Sequence, residues 1–111
     1  MAPRIVFKLI FLGLIIIAVA LEIIGDVLFK KWSASNKNVL LIAGLGIYFI
    51  GTIFWAVSLK YEYLSKAISW FTILNLIIIT LVGVLYFRED LSLINKIGII
   101  LGIFSLILIE I

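Results

Sequence analysis

The chain has 111 residues, 66% of them hydrophobic, with a mean hydropathy of +1.39 and a formal net charge of +3. This composition excludes an ordinary soluble globule and indicates a membrane protein that crosses the bilayer several times. Cysteine and histidine are absent, which excludes disulfides and thiolate metal sites, and the basic residues are too scattered to predict a nucleic-acid partner.

The first predicted helix, about residues 5–31, is long and apolar enough to cross a bilayer, yet it carries acidic side chains. A carboxylate in hydrocarbon is costly, so it normally faces a bundle interior or a wet cavity on an ion, proton or substrate pathway. Glu22 is therefore the first candidate functional residue. Ala18 and Gly25 flank it and are expected to leave open space beside it.

Asp26 and Lys30 follow Glu22 at successive four-residue steps, which places the three on one slowly drifting helix face. Two interpretations of Asp26 stay open. It forms an ion pair with Lys30 near the membrane boundary, or it shares a binding site with Glu22.

The beginning of the chain also imitates a signal peptide, because Arg4 and Lys8 precede an apolar run with small residues after it. The apolar run continues to Phe29, past the supposed cleavage point. A membrane-spanning helix is therefore the favoured interpretation.

The second predicted helix, about residues 38–59, carries small and aromatic residues at steps of four and three, which places them on one face. Small residues permit close helix approach, and the two aromatic rings could hold a flat or cationic ligand. Packing glycines beside interfacial aromatics is the alternative, especially for Trp55 near the helix end. Asn36 or Asn38 is predicted to cap this helix. The face consists of Gly44, Tyr48, Gly51, Trp55 and Ser58.

The third and fourth predicted helices, about residues 64–87 and 93–110, each carry a polar or small surface. On the third, hydroxyls and an amide either join helices or line a pocket. On the fourth, a small-xxx-small pattern predicts helix association, and Asp90 or Ser92 is placed to cap its start. The third-helix set is Ser65, Ser69, Thr72 and Asn75, and the fourth-helix set is Gly98, Gly102 and Ser105.

In this order, the features resemble the small multidrug resistance family of four-helix transporters. The resemblance covers nearly the whole chain after its first few residues. Its most specific parts are the segment 20–25 (Ala-Leu-Glu-Ile-Ile-Gly) with Lys30 after it, Ala67 in the third helix, and the segment 87–91 (Phe-Arg-Glu-Asp-Leu) before the Gly98 helix.

The resemblance implies an all-α membrane protein with four transmembrane helices, assembled as an antiparallel, dual-topology homodimer in the plasma (inner) membrane. It implies a proton-coupled antiporter, not an enzyme, that needs no cofactor beyond the proton gradient. The exported substrates would be small organic cations of quaternary ammonium, guanidinium or polyamine type. Glu22 would bind proton and substrate in turn. The expected binding residues are Glu22, Asp26, Tyr48, Trp55, Ser69 and Thr72, and the expected dimer interface is Gly98, Gly102 and Ser105.

The third helix departs from the family pattern. Ile68 stands at the usual tyrosine position, Phe71 at the tryptophan position, and Ile73 and Asn75 at two paired glycines. Asp26 occupies a position that is usually small or uncharged, and a second acid in each subunit favours a multiply charged cation.

Two other functions compete with cation export: a subunit of a lipid-linked sugar flippase in the same superfamily, and a non-transporting membrane scaffold. Glu22 argues against both, because such flippase subunits commonly lack an acid there and an unpaired acid in the membrane would only destabilise a scaffold.

The basic residues predict orientation. The N-terminal segment and second loop hold four of them, and the first and third loops hold five. The side with more Lys and Arg residues sets the orientation of a membrane protein. A difference of one residue between the two sides therefore predicts insertion in both directions. The four are Arg4, Lys8, Lys60 and Lys66, and the five are Lys30, Lys31, Lys37, Arg88 and Lys96.

Overall fold

The computed structural model describes Ala2–Ile111, with side chains from Arg4 onward, and this part of the chain is helical except for short connections. Its four helices are α1 (Ala2–Ser35), α2 (Asn38–Ser58), α3 (Leu64–Leu85) and α4 (Leu93–Glu110). Each is long and apolar enough to cross a membrane. Large apolar side chains such as Phe49 and Leu108 are 69% and 73% exposed, as expected for helices that lie in hydrocarbon.

The described residues form two compact units, one ending at Tyr63 and the other running from Leu64 to Ile111. In the first unit, α1 and α2 pack side by side with Gly25 facing Gly44 and Ala18 facing Gly51. The residue number therefore rises along one helix as it falls along the other. The two helices form an antiparallel hairpin.

The helix α1 extends beyond the predicted end near residue 31. Lys30 and Lys31 end its apolar part but favour helix, and the hydroxyls of Ser33 and Ser35 donate to the Lys30 and Lys31 carbonyls at 2.6 and 2.9 Å. The helix closes at Asn36, which has a φ of 59° and whose backbone N–H bonds the Trp32 carbonyl. Asparagine tolerates this left-handed conformation better than most residues.

The cap predicted for α2 is wrong. Lys37 occupies the N-cap position and makes no side-chain capping bond, because Asn36 serves the end of α1. The Asn38 side chain instead accepts from the Trp32 indole N–H at 3.4 Å.

The second unit consists of α3 and α4, which also run antiparallel. Near one end of the pair, the Trp70 indole N–H donates to Glu110 Oε1 at 2.8 Å, and further along Leu76 lies against Gly102. Ser92 caps α4 by accepting from the Asn95 backbone N–H, which confirms one of its two predicted caps.

The helix α3 runs without interruption through the two positions where the family pattern has glycines. It ends at Leu85, short of the predicted residue 87, because Arg88 takes a φ of 55° and the Glu89 N–H bonds back to the Gly83 carbonyl. A left-handed residue of this kind is a common way to end a helix.

Candidate functional site

Two glycines bring α1 and α2 close together at the centre of the first unit. A Cβ on Gly25 would lie 3.3 Å from the Gly44 carbonyl oxygen, and a Cβ on Gly44 would lie 3.3 Å from the Gly25 carbonyl oxygen. Both residues are buried. The small residues on α2 therefore allow the backbones to touch, as small residues do between membrane helices.

Each of these glycines also leaves room for an aromatic ring from the other helix. Tyr48 of α2 lies over Gly25, and Phe29 of α1 lies over Gly44, so that a Cβ on either glycine would overlap a ring. The two rings are 5.2 Å apart between centroids at an interplanar angle of 37°. They form a continuous aromatic surface that crosses from one helix to the other.

Glu22 is half-buried on the same α1–α2 contact, one helical turn before Asp26. Its Cγ would lie 3.2 Å from a Cβ on Gly51, and so would the Cβ of Leu21. The expectation of open space beside Glu22 is therefore wrong at Ala18 and Gly25. These small residues are in contact with α2, and the packing holds the stem of the Glu22 side chain.

The Asp26 carboxylate is bound across the hairpin. The Tyr48 hydroxyl donates to Asp26 Oδ1 at 2.5 Å, and both side chains are half-buried. The sequence did not indicate this bond, because the spacing along one helix relates Asp26 only to residues of that helix. The sequence did place Tyr48 on the small-residue face of α2, and the structure shows that this face contacts α1.

Trp55 and Ser58 lie farther along α2, near its end. Trp55 is half-buried, and Ser58 is fully buried with its hydroxyl donating to the Trp55 carbonyl at 2.6 Å. Ser58 thus serves packing, with its polar group satisfied within its own helix.

A salt bridge that the sequence analysis did not identify closes one end of the first unit. Lys8 Nζ lies 2.8 Å from Glu62 Oε2, and the side chains are 27% and 12% exposed. Beside it, Phe7 and Tyr61 meet edge to face with centroids 5.6 Å apart. The start of α1 and the α2–α3 connection therefore lie at the same end of the hairpin.

The remaining predicted binding residues belong to the second unit. The Ser69 hydroxyl donates to the Ser65 carbonyl at 2.8 Å, and Thr72 is exposed. Asn75 is half-buried, and its Oδ1 has no hydrogen-bond partner within the described part of the chain. Ser69 is thus satisfied within α3, whereas the amide oxygen of Asn75 is not.

The predicted dimer residues on α4 differ in exposure. Gly98 is exposed, and apart from its chain neighbours and the adjacent backbone of α4, no described atom lies within 4 Å of the place where its Cβ would be. Ser105 is also exposed. Gly102 is half-buried, and the nearest neighbour of its missing Cβ is a Leu76 methyl group at 4.0 Å.

The structure thus brings together Glu22, Asp26 and Tyr48 in the α1–α2 hairpin, and it adds Phe29, which the sequence pattern did not indicate. Two acids and two aromatic rings on one contact could attract and hold an organic cation. Between Ala2 and Ile111, no group of three or more His, Cys, Asp or Glu residues is arranged to hold a metal ion.

The family model described as Small Multidrug Resistance protein matches residues 8–102, which include Glu22, Asp26, Phe29 and Tyr48 and more than half of α4. No curated protein and no solved structure matches the chain.

Proposed function

Because this chain belongs to the Small Multidrug Resistance protein family and is a multi-pass membrane transporter, we propose that it exports small organic cations in exchange for protons. Glu22 is the shared site, binding either a proton or the cation. The substrates are of quaternary ammonium, guanidinium or polyamine type, and the protein works in the plasma membrane.

The observation that carries this proposal is the setting of Glu22. It is a half-buried carboxylate in the middle of a helix that is long and apolar enough to span the bilayer, and its stem is held against Gly51. An acid at such depth is costly to keep charged without a partner, so a cation or a proton would each relieve that cost. Because one carboxylate cannot bind both at once, proton entry would release the cation.

The aromatic surface formed by Tyr48 and Phe29 supports the choice of an organic cation. Cations are attracted to the faces of aromatic rings within about 6 Å, by about 0.5–2 kcal/mol depending on desolvation. Tyr48 belongs to the same face of α2 as Gly51, against which Glu22 packs. A substrate with a positive charge and an apolar body fits this combination better than a small inorganic ion.

We further propose that two copies assemble as an antiparallel homodimer, with α4 as the interface. The open surface at Gly98 supports this interface, because exposed glycine on a membrane helix permits close approach of a second helix. In such a dimer, the two Glu22 carboxylates would serve one central site. Exchange of the two subunit conformations would then turn that site from one side of the membrane to the other, as in transporters built from inverted repeats.

The proposal is tested in liposomes that contain the purified protein and an imposed proton gradient. Glu22→Gln should abolish cation flux driven by the gradient, because the amide cannot exchange a proton, while the variant remains folded and dimeric. Asp90→Asn is the matched control, because this acid lies exposed in the α3–α4 connection, and it should transport at the native rate. Gradient-driven flux by Glu22→Gln at the native rate would contradict the mechanism.

A further inference from the structure

Asp26 has two possible roles in a cation transporter. As a free carboxylate it would bind the substrate directly, whereas as a hydrogen-bond acceptor it would act through another residue. The structure gives it a specific partner: Tyr48 of the neighbouring helix donates its hydroxyl hydrogen to Asp26 Oδ1.

We infer that Asp26 is a positioning residue, which fixes the Tyr48 ring in the binding site through this hydrogen bond. The inference rests on the proposed function and assigns a role within it. It separates Asp26 from Glu22, which binds the proton and the cation itself.

The surroundings of Tyr48 support this role, because they place its ring against the segment of α1 that carries Asp26. The Cδ1 and Cε1 atoms of the ring lie against Gly25, where a side chain would overlap them, and Phe29 lies 5.2 Å away between ring centroids. Gly25, Asp26 and Phe29 all lie within about one turn of α1. These three residues therefore form a cradle for Tyr48, in which Gly25 gives room, Phe29 packs and Asp26 fixes the hydroxyl.

A fixed ring is useful to the transporter because a mobile one would have to be ordered by each substrate. Ordering a side chain on binding costs conformational entropy, so a ring that is already in place improves affinity without any new contact. Hydrogen bonds to charged groups are stronger than those between neutral groups, so a bond to the Asp26 carboxylate is suited to hold one aromatic side chain.

The first test follows the ring itself and needs no substrate. Protein labelled with 3-fluorotyrosine gives fluorine NMR signals from its four tyrosines, and Tyr48→Phe identifies the signal of residue 48. Asp26→Leu should shift and narrow that signal as the ring becomes mobile. Asp26→Asn keeps a carbonyl acceptor and should leave it close to the native position. An unchanged signal in Asp26→Leu would overturn the inference, whatever the transport assay shows.

The second test compares transport of benzyltrimethylammonium with that of a bis-quaternary cation carrying the same head groups. Tyr48→Phe and Asp26→Leu should each raise KM by about tenfold for both cations, and the double variant should be no worse than either alone, since both changes break one bond. Asp26→Asn should stay within about twofold of the native KM.

Three results would overturn the inference. They are an Asp26→Asn variant as impaired as Asp26→Leu, a loss confined to the doubly charged cation, or additive effects in the double variant. The first two would assign Asp26 a direct electrostatic role. The proposed function is tested separately by Glu22→Gln. A failure of the proposed function can therefore be distinguished from a failure of the inference about Asp26.

Discussion

At the scale of single residues, the contact between Glu22 and Gly51 joins the chemistry of the site to the packing of the hairpin. The carboxylate belongs to α1, but the position of its stem is set by a residue of α2 that has no side chain. In the proposed mechanism this carboxylate binds two different ligands in turn, and such a group benefits from a defined starting position. Gly51 therefore affects the position of the Glu22 carboxylate as well as the packing of the two helices.

We predict that Gly51→Ala will slow transport by about tenfold, because the added methyl group lies 3.2 Å from Glu22 Cγ and displaces the carboxylate. The measurement is gradient-driven cation flux in liposomes. Gly46→Ala is the control on the same helix, because nothing lies within 4 Å of its Cβ position, and it should transport normally. Equal rates for the two variants would show that the position of Glu22 does not depend on Gly51.

At the scale of helices, the α1–α2 hairpin is held by the packing of aromatic rings from each helix against glycines of the other. Gly25 accommodates Tyr48, and Gly44 accommodates Phe29, so each helix provides one glycine and one ring. Because lipid tails are as apolar as leucine, membrane helices associate mainly through close packing of this kind. The hairpin therefore depends on the absence of two side chains.

Replacement of either glycine should destabilise the hairpin. We predict that Gly25→Ala lowers the free energy of unfolding in detergent by about 1–3 kcal/mol, because the new Cβ overlaps the Tyr48 ring. Gly13→Ala on the same helix is the control. It meets no neighbour within 4 Å and should be neutral or stabilising by up to about 1 kcal/mol, since alanine favours helix. A Gly25→Ala variant as stable as Gly13→Ala would contradict the proposed packing.

At the scale of the whole molecule, orientation in the membrane remains a prediction from the distribution of basic residues. The Lys8–Glu62 salt bridge supports one part of it, because it places the start of α1 and the α2–α3 connection at the same end of the hairpin. Acidic residues contribute little to the rule that sets orientation, so the salt bridge leaves the count of four basic residues against five unchanged.

We predict that the protein inserts in both orientations, and cysteine labelling can measure this because the native chain has no cysteine. Ser35→Cys at the end of α1 is preferable to a change at Asn36, where the φ of 59° disfavours most side chains. Tyr63→Cys, in the connection before α3, marks the opposite side. Each should react with a membrane-impermeant reagent from both sides in comparable amounts. Labelling of each from one side only would contradict dual topology in the homodimer.

The sequence alone determined the membrane class and the four helices, because hydropathy and helix periodicity are properties of consecutive residues. It indicated the family through its resemblance to known motifs, and it made Glu22 the first candidate residue because an acid in hydrocarbon is costly. Only the tertiary structure decided what the small residues do. Gly25 was expected to leave open space, and the structure fills that space with Tyr48. Asp26 had Lys30 as its candidate partner within the helix, and its bond to Tyr48 depends on the register between two helices, which no spacing along one helix contains.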